Sequence, residues 1–371
     1  MKIVQLCPYA MDRPGGVQRH VRDLSTWLTA QGHETRIVAP PEPGRQAART
    51  GALTELGRSR SLSVHGTAFE LAYAGPGAVR RVARDLRDWG ADVVHMHTPW
   101  TPLLVWQVWR ALRLPTVTTI HATLPSIDSP ALVDRYIRWA ARYFLTRTQA
   151  TILPSEAPLP LIARLAPGTR ALVLPPAVDL SDWRALDTPR PGRTGLSLFF
   201  LGRLEARKGV ADLLAAWDRI ATTLPQATLT IAGDGALRDM VATSTTPRLS
   251  LVGRPDDAAA RSLMARADIF LAPAAYGESF GIVLTEAMSA GAVPIAAANA
   301  GYASVMTGDG ASLLVPPGDS AALADRILSL AADFAERTRL RDWGRAHAAQ
   351  FDIANVGPEY LETYDRVAAW S

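Results

Sequence analysis

Apolar and polar positions alternate along the chain in a regular way. Short runs of apolar and β-branched residues are separated by longer stretches in which apolar residues recur at helical spacing. The runs predict strands at Ile3–Leu6, Arg36–Ala39, Val93–Met96, Val117–Ile120, Thr151–Leu153, Ala171–Leu174, Leu198–Leu201, Thr228–Ala232, Leu249–Val252, Ile269–Ala272, Val293–Ala296 and Ser312–Val315. Almost continuous apolar strands between helices are typical of parallel sheets covered on both faces. The pattern therefore predicts an α/β protein with two doubly wound, Rossmann-like domains.

One segment interrupts this alternation. Residues 186–195, "LDTPRPGRTG", are polar and rich in proline and glycine. A chain of 371 residues is also too long for one ordinary core. We predict an N-terminal domain at 1–185 and a C-terminal domain at 192–351, followed by an amphipathic helix in 352–371 that caps the second domain or crosses back to the first. Ligands of such folds lie at the carboxyl ends of strands, so we expect the two domains to face one another across a ligand-binding cleft.

Composition restricts the class of protein. Apolar residues make up 48% of the chain and charged residues 20%, a globular profile. No apolar run reaches the roughly 18 residues that span a bilayer, and the N-terminal stretch lacks the pattern of a signal peptide. Cys7 is the only cysteine, which excludes an internal disulfide and a multi-cysteine metal site. The expected location is the cytoplasm.

Charge is distributed unevenly. Residues 1–180 hold 21 lysines and arginines against 13 acids, whereas residues 181–371 hold 18 against 22. A basic first half suits an anionic partner or is a solvated face, and both interpretations stay open. Lys2 and Lys208 are the only lysines, so an interior lysine suggests a site that needs a compact ammonium group.

The first half carries two candidate features. Gly15 and Gly16 lie between a predicted strand and a helix that begins near Val17, where free N–H groups favour an anion. The dinucleotide and Walker glycine patterns are absent, and an ordinary strand–helix turn is the alternative. His121 ends a predicted strand, where it can hydrogen-bond a substrate hydroxyl or serve the structure. His95 and His97 are similar candidates whose spacing does not indicate zinc.

The second half carries two cations at the start of a predicted helix. Arg203 and Lys208, in "GRLEARKG", would stabilise the charge on a departing diphosphate, or they are two surface cations. The chain has no Asp-x-Asp at a strand end, so a metal bridging a diphosphate is not predicted. The two cations would replace it.

The stretch "YGESFGIVLTEAMSAG" contains two glutamates around an apolar run. Glu278 lies just before a predicted helix and can accept hydrogen bonds from sugar hydroxyls, while nearby backbone N–H groups face phosphate. Glu286 lies about two turns into the helix and can accept from a ribose. Helix capping for Glu278 and a salt bridge for Glu286 are the structural alternatives.

Several motifs together resemble a known family. "PGGVQRHV", "GRLEARKG", "AGDG", "LVGRPDD" and "ESFGIVLTEAMSAG" occur in order along nearly the whole chain. They are similar to those of retaining GT-B glycosyltransferases of family four, with Glu278 and Glu286 as the E-x7-E pair. Within the family the chain looks most like bacterial phosphatidylinositol mannosyltransferases.

The resemblance implies site residues. It places His121 on the acceptor side and makes His121, Arg203, Lys208 and Glu278 the catalytic group. It also implies that the last helix crosses back onto the first domain, and that neither a metal nor a cofactor is used. The implied donor-binding residues are Gly15, Gly16, Arg203, Lys208, Val252, Gly253, Glu278, Ser279, Phe280, Gly281, Ile282 and Glu286.

The resemblance also implies an activity. It is retaining transfer of a hexose from a nucleoside-diphosphate sugar, with GDP-mannose favoured, to a hydroxyl of a lipid-linked, polyol or glycan acceptor. The acceptor class is broad because segment 65–77 carries Glu70 where the inositol mannosyltransferases carry arginines. The alternatives are a UDP-sugar transferase, an epimerase or phosphorylase of the same fold, and a catalytically idle nucleotide-sugar-binding relative.

Nucleic acid is not an expected partner, but a membrane surface is a candidate. In "DRYIRWAARYF", residues 134–144, arginines form one helical stripe and aromatic residues another. Such a helix can lie on an anionic membrane, which would place the protein at the inner face of the cell membrane. A core-packed or solvated helix is the alternative.

Overall fold

The computed structural model describes residues 1–64, 67–99, 101, 103–121, 132–184 and 195–369, without the side chains of 61–64, 67–70 and 133. Contacts divide the chain into two compact units, Met1–Val178 with Ile353–Ser371, and Asp179–Asp352. The division lies between Val178 and Asp179, N-terminal to the predicted boundary at residues 186–191. That predicted boundary lies outside the described residues. The side chain of Glu70, which was singled out in the sequence, also lies outside them.

The first unit alternates strands and helices. Its elements are β1 (Lys2–Leu6), α1 (Gly16–Ala30), β2 (Glu34–Ala39), β3 (Arg49–Thr50), β4 (Leu53–Glu55), β5 (Arg58–Val64), β6 (Thr67–Tyr73), α2 (Pro76–Asp88), β7 (Val93–His97), α3 (Leu104–Leu112), β8 (Thr116–Thr119), α4 (Leu132–Leu145), β9 (Ala150–Leu153), α5 (Leu159–Leu165), β10 (Ala171–Val173) and α14 (Ile353–Ala368).

An eight-stranded sheet forms the centre of this unit, in the order β10-β9-β8-β7-β1-β2-β4-β3. All neighbours in it are parallel except β3 and β4. Every residue of β7, "VVHMH", is buried, as expected for a central parallel strand. Strands β7 and β8 are neighbours, so the side chains beyond their carboxyl ends lie side by side.

Helix α14 completes part of this core. Tyr360 and Tyr364 on α14 are fully buried, and they belong to the cluster that includes Ile3, Leu24 and Val93. The backbone N–H of Ile353 donates to the carbonyl oxygen of Val178 at 2.9 Å, where the helix begins. The last helix therefore belongs to the first unit by its packing.

The second unit also alternates. Its elements are α6 (Ser181–Arg184), β11 (Ser197–Leu201), α7 (Val210–Thr223), β12 (Thr228–Ala232), α8 (Arg238–Ala242), β13 (Leu249–Leu251), α9 (Asp257–Arg266), β14 (Ile269–Ala272), α10 (Ile282–Ser289), β15 (Val293–Ala297), α11 (Ala300–Val305), β16 (Leu314–Val315), α12 (Ser320–Ala332) and α13 (Phe334–Ala348), with 3₁₀ turns at Ala206–Lys208, Gly308–Leu313 and Ala349–Phe351. A parallel six-stranded sheet has the order β13-β12-β11-β14-β15-β16.

The twelve predicted strands are confirmed, with small shifts at their ends. Four strands, β3 to β6, were not predicted. Strand β5, "RSRSLSV", alternates polar with larger residues and lacks the apolar run that marks the others. It pairs with β6 as a separate antiparallel hairpin. Among the described residues, no helix is both long and apolar enough to cross a membrane.

Candidate active site

The loop after β14 places Glu278 against two cations. Its Oε1 atom accepts from Lys208 Nζ at 2.7 Å and from Arg207 at 2.9 Å. Both cations lie in the 3₁₀ turn that follows β11, the strand beside β14 in the sheet. The carboxyl ends of adjacent strands thus bring the three side chains together, as expected for a ligand site in this type of fold.

These charges are largely withdrawn from water. The side chains of Arg207, Glu278 and Lys208 are 8%, 15% and 18% exposed. Burial raises the pKa of Glu278, but the charges and hydrogen bonds of Lys208 and Arg207 outweigh burial and hold that pKa below its usual value. Glu278 is therefore a carboxylate at neutral pH, with fixed cations beside it.

Backbone contacts fix the two loops to each other. The N–H of Ala275 donates to the carbonyl oxygen of Arg207 at 3.0 Å. Gly209 ends the 3₁₀ turn with a φ of 71°, and a Cβ there would lie 2.1 Å from the carbonyl oxygen of Pro273. Only glycine allows this approach together with this backbone conformation.

The start of α11 packs against the Glu278 loop from the other side. Asn299 caps α11 by accepting from the N–H of Tyr302 at 3.0 Å, and its amide donates to the carbonyl oxygen of Ala274 at 2.7 Å. A Cβ on Gly301 would lie 2.2 Å from the carbonyl oxygen of Glu278. The position of Glu278 is therefore determined by close backbone packing.

The other predicted donor residues surround this loop or lie on neighbouring strands. Gly281, with a φ of 109°, caps α10, so Ile282 is the first helical residue. Ser279 and Phe280 are buried just before it, and Glu286 is buried within α10. Val252 is 46% exposed after β13, and the carbonyl oxygen of Gly253 accepts from Gly233 at 2.6 Å.

Arg203 differs from Lys208 in its surroundings. Its side chain is 42% exposed and lies 3.0 Å from Glu205, which also contacts Arg207 at 3.1 Å. Lys208 and Arg207 contact Glu278 directly, whereas Arg203 pairs with Glu205. Arg207 was not among the predicted site residues, and it is the more buried of the two cations on Glu278. Its adjacency to Lys208 in "EARKG" was the available signal.

A second group of polar side chains lies in the first unit. His97 ends β7, and His121 follows β8. Nδ1 of His97 lies 2.9 Å from Nε2 of His121, and Nε2 of His97 lies 2.8 Å from Oε1 of Gln5. His20, on the buried face of α1, has its ring centroid 5.2 Å from that of His121, with the two ring planes tilted by 58°. His20 was not among the predicted site residues, although it shares a buried stripe of α1 with Leu24 and Leu28.

These histidines are neutral at neutral pH. Burial is the main cause, and it lowers the pKa of His20 to about 4 and those of His95, His97 and His121 well below 6.5. His95 contacts the hydroxyl of Tyr364 on α14 at 2.7 Å and that of Thr119 at 2.7 Å. Neutral rings can donate and accept at once, so they can orient one another and a substrate hydroxyl.

Gly15 and Gly16 lie where the sequence predicted them. Helix α1 begins at Gly16, and Gly15 is its N-cap, with extended backbone and no side-chain cap. A Cβ on Gly15 would lie 2.4 Å from Oε1 of Gln18, the end of a flexible side chain. The helix N-terminus leaves backbone N–H groups that suit an anion.

Two family models match the chain. The model "Glycosyltransferase Family 4" matches residues 14–182, and the model "Glycosyl transferases group 1" matches residues 195–333. The first covers the histidine group, and the second covers the loop of Glu278.

Curated relatives match nearly the whole chain. A phosphatidyl-myo-inositol mannosyltransferase of Mycobacterium leprae is 31% identical over 99% of this chain and 97% of its own length. One of Propionibacterium freudenreichii is 32% identical over 98% and 94%. A glycogen synthase of Mycobacterium tuberculosis is 27% identical over 94% and 91%.

Solved structures agree on the fold. A sucrose-phosphate synthase of Thermosynechococcus elongatus gives a TM-score of 0.78 at 21% identity and covers both chains fully. Anabaena HepE in complex with UDP-glucose gives 0.73 at 20% identity, covering 99% of this chain and 100% of that chain. Two Rossmann-like units of this kind define the GT-B class of glycosyltransferases. The chain belongs to glycosyltransferase family four, and it is an enzyme of that family.

Proposed function

We propose that this glycosyltransferase moves a hexose, with retention of anomeric configuration, from a nucleoside-diphosphate sugar to an acceptor hydroxyl. The favoured donor is GDP-mannose, and the acceptor is a lipid-linked, polyol or glycan molecule. One observation carries the proposal: Glu278 is held by Lys208 and Arg207 in a buried group. The names of the 31% identical relatives support mannose as the sugar.

Each donor part has a chemical counterpart in the second unit. Lys208 and Arg207 stabilise the charge on the leaving diphosphate, and the more exposed Arg203 adds a further cation. Glu278 is an acceptor for sugar hydroxyls, and the N–H groups at the start of α10 face phosphate. Glu286 accepts from the ribose, and Val252 and Gly253 flank the base.

Transfer proceeds on one face of the sugar. The acceptor oxygen forms its bond to the anomeric carbon on the side from which the diphosphate leaves, and a donor phosphate oxygen takes the acceptor's proton. His121 orients the acceptor hydroxyl. Lys208 and Arg207 hydrogen-bond the carboxylate of Glu278 and keep it ionised. This carboxylate is therefore suited to accept hydrogen bonds from the sugar rather than to act as a nucleophile at the anomeric carbon. We propose that the reaction uses neither a metal nor a cofactor.

Calorimetry with GDP, UDP and ADP tests the donor first. Preference for GDP supports mannosyl transfer, and preference for UDP supports the UDP-sugar alternative. If no nucleotide binds, the assignment of Lys208, Arg203 and Glu286 is wrong and an idle relative is favoured. Proton NMR of the product then reads the anomeric configuration, and inversion would contradict the proposed mechanism. An unchanged rate in chelator is expected.

Glu278 is tested by two substitutions. Glu278→Gln keeps the shape and one acceptor oxygen, so we expect a protein that still binds nucleotide but transfers sugar at least 100-fold more slowly. Glu278→Ala also removes the contact to both cations and should destabilise the second unit. Glu336→Gln, on α13, is the matched control because it removes an ion-paired carboxylate away from this loop. Equal turnover of Glu278→Gln and the control would exclude the sugar-binding role.

We also propose that the enzyme is cytoplasmic and binds an anionic membrane surface through α4. Trp139 on this helix is 55% exposed, and the ring of Tyr143 stacks on it at 5.3 Å. Sedimentation with vesicles of anionic and of neutral lipid tests this surface. Trp139→Ala should reduce binding to anionic vesicles, whereas Phe334→Ala, at an exposed aromatic residue of the second unit, should not. Equal binding by both variants would contradict the proposal.

A further inference from the structure

Three histidines of the first unit converge on one point. His20 lies on α1, His97 ends β7 and His121 follows β8. One ring nitrogen from each lies within 4.8 Å of the other two. His20 and His97 are fully buried, and His121 is partly exposed.

Hydrogen bonds to carbonyl oxygens set the tautomers of two of these rings. A carbonyl oxygen can only accept, so Nδ1 of His20 carries the proton that it donates to Ala177 at 3.2 Å. Nε2 of His97 likewise donates to Oε1 of Gln5 at 2.8 Å. Each neutral ring therefore has a lone pair on its other nitrogen. Metal-binding histidines are held in this way, with the second nitrogen donating to an oxygen.

The lone pair on Nε2 of His20 accepts no hydrogen bond from the described residues. This nitrogen atom is buried. Leaving a buried polar atom unsatisfied costs about 1–3 kcal/mol, so such an atom calls for an explanation. A ligand at this position would provide the missing partner.

We propose that His20, His97 and His121 form a three-histidine binding site for a divalent transition-metal ion, Zn²⁺ in particular. Zinc bonds to imidazole nitrogen at about 2.0–2.1 Å, so three tetrahedral ligands lie about 3.4 Å apart. The present separations, from 2.9 Å between His97 and His121 up to the 4.8 Å limit, bracket this value. Small ring movements would complete the set.

The protons balance without an outside base. His121 donates its Nε2 proton to Nδ1 of His97, which has none. On metal binding this proton moves to Nδ1 of His121, so both facing nitrogens bind the ion and the total number of protons is unchanged.

An ion at this site leaves one coordination position open and occupies His121. If His121 orients the acceptor, which is part of the proposed function, then Zn²⁺ inhibits transfer in competition with the acceptor. The proposed site is built from histidines of the first unit, whereas Lys208 and Arg207, which meet the charge of the donor diphosphate, belong to the second unit. Metal binding here is inhibitory and does not replace those cations.

Metal titration of the protein, free of a histidine tag and stripped with chelator, tests the site. Calorimetry with ZnCl₂ should show one ion per chain, and CoCl₂ should give the strong visible absorption of a four-coordinate site. His20→Gln and His121→Gln should each weaken binding at least 10-fold. Gln5→Ala, which removes the oxygen behind His97, should weaken it by about 10-fold or more. His33→Gln, at a histidine outside the cluster, is the matched control and should bind as the unaltered chain does.

Circular dichroism and thermal unfolding without metal identify any variant that fails to fold, and the remaining variants then decide the result. Absence of saturable binding, or equal binding by the His20 and His33 variants, would overturn the site. These readouts need no transferase activity, so they stand even if the proposed function fails. In the transfer assay, zinc inhibition relieved by excess acceptor supports the competitive role, and unchanged rates at saturating zinc exclude it.

Discussion

A single methyl group at Gly301 should disturb the position of Glu278. The Cβ of Gly301→Ala would lie 2.2 Å from the carbonyl oxygen of Glu278, 2.6 Å from its carbonyl carbon and 3.0 Å from the nitrogen of Phe280. All three contacts are with backbone, so no side chain can rotate away. Ordinary contact begins near 3.4 Å, which means that the loop must retreat by about 1 Å.

The expected cost follows from this overlap. Overpacking a close-packed site costs about 1–3 kcal/mol. Replacing a helical glycine by alanine returns about 0.5–1 kcal/mol. We therefore expect Gly301→Ala to lower the free energy of unfolding by up to about 2.5 kcal/mol. A displacement of about 1 Å in a substrate-positioning group can cost about 100-fold in rate, so transfer should fall far more than stability suggests.

Urea unfolding, nucleotide calorimetry and the transfer assay measure the three consequences separately. Gly77→Ala is the matched control because Gly77 also lies near the start of a helix, α2, and a Cβ there meets nothing within 4 Å. It should be neutral or stabilising. If Gly301→Ala is as stable and as active as Gly77→Ala, close backbone packing does not position Glu278, and the reasoning is refuted.

Three further predictions concern buried polar groups. Between pH 6.5 and about 4 the unfolded chain binds a proton that buried His20 does not, so stability should fall by about 3 kcal/mol as the pH drops through this window. Urea unfolding measured across this pH window should show that the free energy of unfolding of the unaltered chain depends more steeply on pH than that of His20→Gln. Equal pH dependence in the two proteins would contradict the burial of a neutral His20. Arg207→Met removes one of the two cations on Glu278 and leaves Lys208 in place, so it should cost about 1.5–3 kcal/mol, read as a lower urea midpoint. Tyr364→Phe leaves Nδ1 of His95 without its hydroxyl and should cost about 1–3 kcal/mol in the same assay; an unchanged midpoint would count against either contact.

The two parallel sheets were predictable because most of their strands are short runs of apolar residues. Strands such as "VVHMH" and "IFLA" are buried on both faces, so each is a short apolar run between helices. The hairpin of β5 and β6 is not part of either parallel sheet, and its alternating polar residues carried no such mark.

The site was less predictable because side-chain direction depends on the path of the loop. The sequence "GRLEARKG" contains three cationic side chains, Arg203, Arg207 and Lys208, and does not by itself indicate which of them reaches Glu278. The 3₁₀ turn at Ala206–Lys208, closed by the left-handed Gly209, brings Arg207 and Lys208 to Glu278 and leaves Arg203 with Glu205. The convergence of His20 with His97 and His121 likewise joins three distant segments, which no local pattern connects.

The placement of α14 has a consequence for the order of synthesis. Residues 179–352 are translated before Ile353–Ala368, yet this helix buries Tyr360 and Tyr364 in the core of the first unit. The second unit can therefore finish folding on the ribosome while the first still lacks part of its interior. During that interval the first unit exposes the apolar surface that α14 later covers. A premature stop codon near residue 353 would thus damage the half of the protein encoded first, and chaperones would meet that half as the incomplete one.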